Sequence, residues 1–414
     1  MIYLDNASTT KVRKEVIDEM LPFYYEQYGN PSSIYSFGQK AADAVSESRK
    51  IVADALNCKE NELYFTSGGS ESDNWALKGF AHANKNKGRH IISSSVEHHA
   101  VLHTLKALEK EGFEVTYLPV DSDGLVSIDD LKKSIRDDTI LISIMLANNE
   151  IGTIMPIKEL AVFAHTKGAS TSILGGCAFH TDAVQAFANM HIDVDDLGVD
   201  MLSVSAHKIH GPKGVGALYI RNGSKVDNFI DGGAQEFGRR ATTENVPGIV
   251  GMACATKLML ETMDKDVERE TYLRDYCINR ILSEVPYCKL NGGLENRLAN
   301  NVNISFEFIE GEGMLLQMSA NGICVSSGSA CTSGSLDPSH VLLAIGLPHE
   351  IAHGSMRLTL DRDTTKQDID FACDTISKVI KNLREMSPLY EDFKHGKYKS
   401  IIEQYKNKGY KYVN

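Results

Sequence analysis

The chain has 414 residues, with 55 acidic and 43 basic side chains and a formal net charge of −12 at pH 7. Such an acidic chain argues against nucleic-acid binding, and a composition that is 42% hydrophobic and 24% charged excludes a disordered or fibrous protein. The N-terminal sequence MIYLDNASTT lacks the basic start and apolar core of a secretory signal, and no apolar run approaches the length of a membrane helix. We therefore expect a cytoplasmic globular protein.

The eight cysteines are thinly spread along the chain, and no two of them form a CxxC pair. Thiols at such spacing in a chain without a signal favour the reduced state, and structural zinc sites usually need closely paired cysteines. We therefore expect free thiols and no metal ion.

Short apolar runs alternate with helical patterns over residues 15–262, and the runs have the length of buried strands. The predicted strands are Glu62–Thr66, Ile91–Ser94, Val115–Pro119, Thr139–Ala147, Phe179–Asp182, Met201–Ser205 and Gly216–Ile220. This alternation predicts an α/β fold in which a large domain holds a mostly parallel seven-stranded sheet flanked by helices. Ligands of such sheets bind beyond the carboxyl ends of the strands, so the residues there are candidates for function.

A second, smaller α+β domain is predicted where this alternation ends. Its elements are a helical pattern from Gly251 to Asp264, the strands Val302–Phe306 and Ser355–Leu360, and a helix Ile369–Met386. We assign residues 15–262 to the large domain and residues 1–14 and 263–390 to the small one. Residues 391–414 form a basic, tyrosine-rich tail with one short helix.

Two predicted strands end in residues that could bind a cofactor. Lys208 follows the strand Met201–Ser205, and a lysine half enclosed there can act as a Schiff-base nucleophile, although a lone loop lysine is more often solvated. Asp182 ends the preceding strand, where its carboxylate could keep a pyridinium nitrogen protonated or simply cap a helix. An aspartate and a lysine at the ends of consecutive strands together predict a pyridoxal 5'-phosphate site.

Three further strand ends carry polar groups. Residues 67–70 (SGGS) offer backbone N–H groups and the start of a helix to a phosphate, but such turns also simply cap helices. His98 could stack on a planar cofactor or move protons, with a structural histidine as the alternative. Asn149 could bind a cofactor oxygen or a substrate carboxylate, and turn chemistry explains it equally well.

The small domain supplies one thiol and one guanidinium. Residues 326–335 (SSGSACTSGS) are small and polar with Cys331 among them, and a cysteine without apolar neighbours favours a nucleophile or a carrier of sulfur over a core residue. Arg357 could bind a substrate α-carboxylate through a bidentate pair.

Residues 349–353 (HEIAH) match the zinc-peptidase pattern HExxH. Gly354 ends the helix at once, and Thr359 stands where the metzincins have a third histidine. We therefore disfavour a metalloprotease.

Six longer motifs fit together into one family pattern. They are YGNPSS at 28, NNEIG at 148, HTDAVQ at 180, SAHKIHGPKG at 205, TENVPGIVGM at 243 and SSGSACTSGSLDPSHVL at 326. With these motifs the chain, from residue 3 to residue 391, resembles the class I cysteine desulfurases of the NifS/IscS type. That family consists of pyridoxal-phosphate enzymes of fold type I, the aspartate aminotransferase fold.

The resemblance implies a role in cofactor binding for most of the candidates. Lys208 would hold the cofactor covalently, Asp182 would face its ring nitrogen, Gln185 would bond its phenolic oxygen and His98 would stack on its ring. The residues implied to bind its phosphate are Gly69, Ser70, Ser205, His207 and, across the interface of a homodimer, Thr243.

The activity implied by the resemblance is a cysteine desulfurase that converts L-cysteine to L-alanine. Asn149 and Arg357 would bind the substrate carboxylate, Lys208 and His98 would carry protons, and Cys331 would receive the sulfur as a persulfide. Cys331 would then pass the sulfur, or a transient cluster, to an acceptor or scaffold protein for iron–sulfur cluster or thio-cofactor synthesis. The alternatives are a selenocysteine lyase and a catalytically impaired sulfur-transfer scaffold; neither a nucleic acid nor a membrane is an expected partner.

Three places depart from the family pattern. Thr242 stands where the family has glycine, so it would strain the turn if that position needs a positive φ. Asp361-Arg362 replaces a glycine–arginine pair. Residues 170–178 (STSILGGCA) are an insert, which we predict to be a surface loop, with a redox or partner role for Cys177 as the minority interpretation.

Overall fold

The computed structural model describes residues 1–327, 338–407, 410, 412 and 413. The strands are Ile2–Tyr3 (β1), Leu63–Thr66 (β2), His90–Ser94 (β3), Glu114–Leu118 (β4), Thr139–Ser143 (β5), Ala178–Asp182 (β6), Met201–Ser205 (β7), Gly216–Ile220 (β8), Cys288–Leu290 (β9), Asn301–Phe306 (β10), Ile323–Cys324 (β11) and Ser355–Thr359 (β12). The α-helices are Lys14–Met20 (α1), Pro22–Tyr25 (α2), Ser36–Ala55 (α3), Gly69–Asn74 (α4), Phe80–Asn84 (α5), His99–Lys110 (α6), Ile128–Ser134 (α7), Ile157–Ala164 (α8), Val194–Leu197 (α9), Gln235–Gly238 (α10), Val246–Glu284 (α11), Gly311–Ala320 (α12), His340–Ala344 (α13), His349–His353 (α14), Lys366–Glu385 (α15), Pro388–Lys394 (α16) and Ile401–Asn407 (α17). A π-helical turn, Trp75–Gly79, joins α4 to α5, and a 3-10 turn, Ala206–Lys208, follows β7.

The large sheet has the strand order β2-β8-β7-β6-β5-β3-β4 among the described residues. Its pairings are parallel from β4 to β7, whereas β8 runs antiparallel to both of its neighbours. The residues of β3, β5, β6, β7 and β8 are buried throughout, as expected for strands covered by helices on both faces. The predicted α/β fold with a mostly parallel sheet is confirmed.

The apolar run predicted as one long strand, Thr139–Ala147, forms a shorter one. β5 ends at Ser143, and the run continues as a buried loop in which the Ile144 and Leu146 amides donate to carbonyls of β6 at 3.2 and 2.8 Å. Because these residues are as apolar and as buried as those of β5, periodicity cannot separate them from the strand. The loop brings Asn149 beside the carboxyl end of β6.

One hydrophobic cluster packs against the large sheet, and a second surrounds the antiparallel sheet β12-β10-β9. Helices α12 and α15 and the C-terminal half of α11 supply many of its side chains, and Leu4, just after β1, is fully buried in it. The helix predicted from Gly251 begins earlier, at Val246, because Pro247 suits the first turn of a helix. The predicted boundary at residues 262/263 falls inside this continuous helix, and the domain division stays a prediction.

The tail contains two short helices, α16 and α17, where one was predicted. The Glu307 carboxylate, just after β10, accepts hydrogen bonds from the Ser400 hydroxyl and from the Ile401 and Ile402 amides at 2.6, 2.7 and 3.2 Å. These bonds satisfy N–H groups that the first turn of α17 leaves unpaired. None of the described helices combines the length and apolar character that crossing a bilayer requires.

The insert 170–178 is only partly a surface loop. Ile173 and Leu174 are exposed as predicted, but Cys177 is fully buried, with its thiol 3.5 Å from the Ala164 carbonyl. Burial raises the pKa of this thiol to about 12, so it stays protonated and unreactive at neutral pH. The surface-loop prediction is wrong for the end of the insert, and the burial of Cys177 contradicts the redox or partner role.

Candidate active site

The carboxyl ends of β5, β6 and β7 and the start of α4 surround one cavity of about 570 Å³. The predicted site residues that line it are Gly69, Ser70, His98, Asn149, Asp182, Gln185, Ser205, His207, Lys208 and Arg357. Thr243 lines a neighbouring surface pocket instead, and Cys331 lies outside the residues that the structure describes. The sequence analysis missed the lining residues Ala7 and Ser8, which precede every predicted strand, and Asp73, which lies within α4.

At one end of this cavity, glycines carry the chain from β2 into α4. Gly68 has a φ of +149°, and a Cβ at Gly69 would lie 2.7 Å from Cγ2 of Val184, so neither position accepts a side chain without strain. The Ser205 hydroxyl is buried beside the turn and has no hydrogen-bond partner among the described groups. Free N–H groups at the start of a helix and an unpaired hydroxyl together suit an anion such as a phosphate.

Lys208 lies in the 3-10 turn that follows β7. Its ammonium donates to the backbone carbonyls of Ala7 and Ser8, the latter at 2.9 Å, and the Gln185 amide also donates to Ala7 at 3.0 Å. Burial, together with the Lys208 charge, lowers the pKa of the adjacent His207 to about 4. The N-terminal segment therefore holds the lysine in the cavity through a contact that spans 200 residues of sequence.

Two carboxyl groups meet on another side of the cavity. Asp182 ends β6, and its Oδ1 accepts a hydrogen bond from the Val184 amide at 2.9 Å. Burial raises the pKa of Asp182 to about 6, against the opposing effect of the Lys208 charge. Asp73, on α4, is the second acid, and burial and the charge of Asp182 raise its pKa well above the ordinary value. The sequence gives no signal for Asp73, because only the packing of α4 against the sheet brings it there.

His98 precedes α6 and caps it. Its Nδ1 accepts a hydrogen bond from the Ala100 amide at 3.1 Å, so Nε2 carries the proton of the neutral ring. Burial, with the Lys208 charge as the next contribution, lowers the pKa of His98 to about 4, so the ring is uncharged at pH 7. A neutral, flat ring in this cavity is able to stack on a planar cofactor.

Atoms of Asp73, His98 and Asp182 lie within 4.8 Å of one another, and within the described ranges no other three metal-binding side chains come so close. Both nitrogens of His98 are engaged, one as an acceptor and one as an N–H, so the ring offers a metal ion no lone pair in this arrangement. The HExxH match at residues 349–353 forms the single turn of α14. Both of its histidines and its glutamate are exposed. The absence of a metal stays a prediction.

Arg357, in β12, reaches the cavity from the second hydrophobic cluster and is only 3% exposed. Its Nη1 donates to the Asn149 carbonyl at 2.8 Å, and its Nη2 donates to the Asp5 carboxylate and the Ser8 hydroxyl at 3.0 and 2.9 Å. Its Nε is buried without a hydrogen-bond partner among the described residues. A bidentate pair with a substrate carboxylate therefore requires Asp5 to give up its contact.

Thr242 has a φ of +99°, which confirms the strain expected from its place in the family pattern. Arg240 bonds the Thr242 hydroxyl and forms an ion pair with Glu71 of α4 at 2.7 Å. This pair ties the loop before α11 to the glycine turn of the cavity. Thr243, next in the chain, is exposed.

Known proteins resemble this chain along most of its length. Residues 2–371 match the aminotransferase class-V family. A cysteine desulfurase IscS from Clostridium botulinum is 55% identical over 398 residues, which cover 96% of this chain and 98% of that protein. The chain belongs to the cysteine desulfurases.

Solved structures of similar proteins agree with this family. A NifS-like protein matches with a TM-score of 0.85 and 37% identity, covering 92% of this chain and 100% of its own. SspA, solved in complex with cysteine, matches with a TM-score of 0.77 and 37% identity, covering 88% of this chain and 100% of its own. The resemblance to the desulfurases and the fold expected from it are confirmed.

Proposed function

We propose that this enzyme is a pyridoxal-phosphate-dependent desulfurase that converts L-cysteine to L-alanine and transfers the sulfur to Cys331. The observation that carries the proposal is the cavity in which Lys208, Asp182 and His98 meet beside the glycine turn of α4. The cysteine bound to the similar protein SspA supports the substrate.

The residues of the cavity fit pyridoxal phosphate. The unpaired, buried hydroxyl of Ser205 beside the glycine turn suits its phosphate, and the residues that would complete the phosphate site are Gly69, Ser70 and His207. Lys208 would hold the aldehyde carbon, Asp182 would face the ring nitrogen and Gln185 would bond the phenolic oxygen. When bound, the cofactor supplies an electron sink for the negative charge that develops at the substrate Cα.

Lys208 and His98 are the proton carriers in this proposal. The Lys208 amine can take the Cα proton in its neutral form, and the Ala7 and Ser8 carbonyls that accept from its Nζ keep it in the cavity. His98 is neutral at pH 7 because its pKa is about 4, so its ring would take up a proton at Nδ1 only transiently and, as a strongly acidic imidazolium, would pass a proton from Nε2–H to the substrate.

Arg357 and Asn149 are the substrate-binding residues. The buried Nε of Arg357 has no hydrogen-bond partner among the described groups, so it is a donor for a substrate carboxylate that enters beside it, and Asn149 lines the same cavity. Without substrate, Nη2 of Arg357 donates a hydrogen bond to the Asp5 carboxylate. We therefore expect the substrate carboxylate to replace the Asp5 carboxylate and to form a bidentate pair with Arg357.

Cys331 is the proposed sulfur acceptor. Its thiolate would attack the substrate sulfur, so that a sulfur–sulfur bond forms as the carbon–sulfur bond of cysteine breaks. The electron pair of the broken bond stays on carbon, which is then protonated to give alanine. The persulfide on Cys331 would pass to an acceptor protein for iron–sulfur cluster or thio-cofactor synthesis.

We further propose a homodimer in which Thr243 completes the phosphate site of the partner subunit. Thr243 is exposed and lies outside the cavity of its own chain. The exposed apolar residues between the start of α1 and the start of α3 would form part of the interface; they are Ile17, Leu21, Tyr24, Tyr25, Tyr28, Ile34 and Tyr35. A concentration of large apolar side chains of this kind marks a protein–protein interface.

The purified protein, incubated with L-cysteine and a reductant, tests this function through its absorption spectrum and its release of sulfide and alanine. We expect a visible band of the bound cofactor and equal amounts of the two products. Lys208→Ala should remove both the band and the activity, whereas Cys331→Ala should keep the band and lose sulfide release. Lys225→Ala and Cys254→Ala, which change residues outside the cavity, serve as matched controls. A protein that stays colourless and inactive with added pyridoxal phosphate would contradict the proposal.

A further inference from the structure

We propose that Asp73 is a positioning residue for Asp182. Asp73 stays a neutral carboxylic acid beside the Asp182 carboxylate, so that the pair carries one negative charge in front of the cofactor ring nitrogen. This inference rests on the proposed function, because it concerns the same cofactor site.

The position of Asp73 makes an ionised form costly. Its side chain is 2% exposed, it lines the cavity, and one of its oxygens lies within 4.8 Å of ligand atoms of Asp182 and His98. Its Oδ1 is buried without a hydrogen-bond partner among the described groups. A charged oxygen left unpaired in such a place is destabilised far more than the oxygen of a neutral acid.

The groups around Asp73 also disfavour a second negative charge. The charge of Asp182 raises the pKa of Asp73, whereas a hydrogen bond from the Ser203 hydroxyl opposes this effect. Glu97, the third acid nearby, is mostly neutral at pH 7 because burial raises its pKa to about 8. His180 Nε2 lies 3.7 Å from Oδ1, but burial lowers the pKa of His180 to about 3, so this histidine supplies no positive charge. His98 is neutral as well.

The one proton of the pair therefore belongs on Asp73 and the one charge on Asp182. Asp182 accepts a hydrogen bond from the Val184 amide at 2.9 Å, and the positive charge of Lys208 favours the ionised form of Asp182. Two buried acids whose oxygens lie within 4.8 Å of each other repel a second negative charge, so the better-stabilised member takes the single charge. A single carboxylate at Asp182 is what the protonated ring nitrogen needs as its partner.

The variants Asp73→Asn and Asp73→Leu separate this role from a purely structural one. Asparagine is neutral, has the same size and can still donate a hydrogen bond, so we expect it to bind pyridoxal phosphate with nearly the affinity of the unchanged protein. Leucine fills the space without a polar group, so the pKa of Asp182 should rise by about one unit from its value of about 6. The affinity should then fall about twofold at pH 7 and about tenfold at pH 5, because the ionised fraction of Asp182 falls by those factors. Asp129→Asn, which removes an exposed surface charge, is the matched control.

The measurements are the dissociation constant of pyridoxal phosphate from pH 5 to pH 9 and the infrared difference spectrum of the cofactor-free proteins at pH 7. The phosphate titrates identically in every sample, so differences between the pH profiles report on the protein. Subtracting the spectrum of the Asp73→Asn variant from that of the unchanged protein should leave the band of a neutral carboxylic acid. This infrared measurement requires neither bound cofactor nor the leucine variant. Equal loss of affinity in both variants, unchanged profiles in both, or a carboxylate band instead of a neutral one would overturn the inference. An unchanged protein that binds no cofactor at any pH would instead refute the proposed function.

Discussion

Thr242 holds a backbone conformation that a β-branched side chain rarely adopts. With a φ of +99°, it lies in the left-handed region, where glycine is the residue without a steric penalty. Strain of this kind costs about 1–3 kcal/mol and persists only where the surrounding structure enforces it. The Arg240–Glu71 ion pair and the bond from Arg240 to the Thr242 hydroxyl are the contacts that enforce it here.

Thr242→Gly should therefore raise the free energy of unfolding by about 1 kcal/mol, because the relief of strain exceeds the extra freedom that glycine gives the unfolded chain. Chemical denaturation of the cofactor-free protein measures this change. Thr243→Gly is the control, since Thr243 has no positive φ and glycine there should lower stability. The same change in both variants would show that the strain does not reside at Thr242.

At the scale of an element, helix α11 contains a buried acid that folding keeps protonated. Burial raises the pKa of Glu270 to about 8, with Arg269 as the main opposing charge. In the unfolded chain this carboxyl ionises near its ordinary pKa, so the unfolded state has already lost the proton at a pH where the folded state still holds it. Rising pH therefore favours unfolding throughout this interval.

Glu270→Gln should abolish that contribution, because glutamine resembles the neutral acid and does not titrate. We expect its stability, relative to the unchanged protein, to increase by about 3 kcal/mol between pH 5 and pH 8, because these pH values span nearly the whole interval between the unfolded and folded pKa values. Urea denaturation at several pH values gives the comparison, with Glu268→Gln on the exposed side of the same helix as control. A difference that does not depend on pH would contradict the assignment.

Helix α17 depends on a residue far from it in sequence. Because Glu307 accepts three hydrogen bonds from residues 400–402, Glu307→Ala should leave the amides at the start of α17 unpaired and release the helix at a cost of about 2 kcal/mol. Hydrogen exchange of residues 401–407 should then become faster. Glu403→Ala, on the exposed face of α17, should leave their exchange slow, and fast exchange in both variants would argue for a different anchor.

The elements of the large sheet could be predicted because six of its seven described strands, all except β4, are buried throughout and therefore read as short runs rich in apolar residues. The same analysis found Lys208 and Asp182, since both follow such runs. Asp73 and the Ala7 and Ser8 carbonyls could not be found, because their places in the site result from packing between distant parts of the chain. Cys177 was misjudged because its glycine-rich neighbours are typical of a loop, whereas tertiary packing buries the thiol.

For the whole molecule, the proposed homodimer predicts a specific effect of Ile34. This side chain is fully exposed in the single chain, so Ile34→Glu removes no packing within the subunit. If the apolar residues from α1 to the start of α3 form the interface, the charge should weaken dimerisation at least tenfold, which is about 1.4 kcal/mol, as measured by sedimentation velocity. Val162→Glu, an equivalent change on α8 at another exposed site, should leave the dimer intact. Equal sedimentation of all three proteins would place the interface elsewhere.

Helix α11 also determines how the two hydrophobic clusters unfold. Its 39 residues form one rod of about 58 Å, and its successive turns pack Met259 and Met263 into the first cluster and Leu273 and Cys277 into the second. Unfolding of either cluster removes the tertiary contacts of one half of α11. Because the helix is continuous, this also destabilises its other half. Calorimetry of the cofactor-free chain should consequently show a single cooperative heat-absorption peak, and a chain severed at the predicted domain boundary should yield two fragments that fold only together.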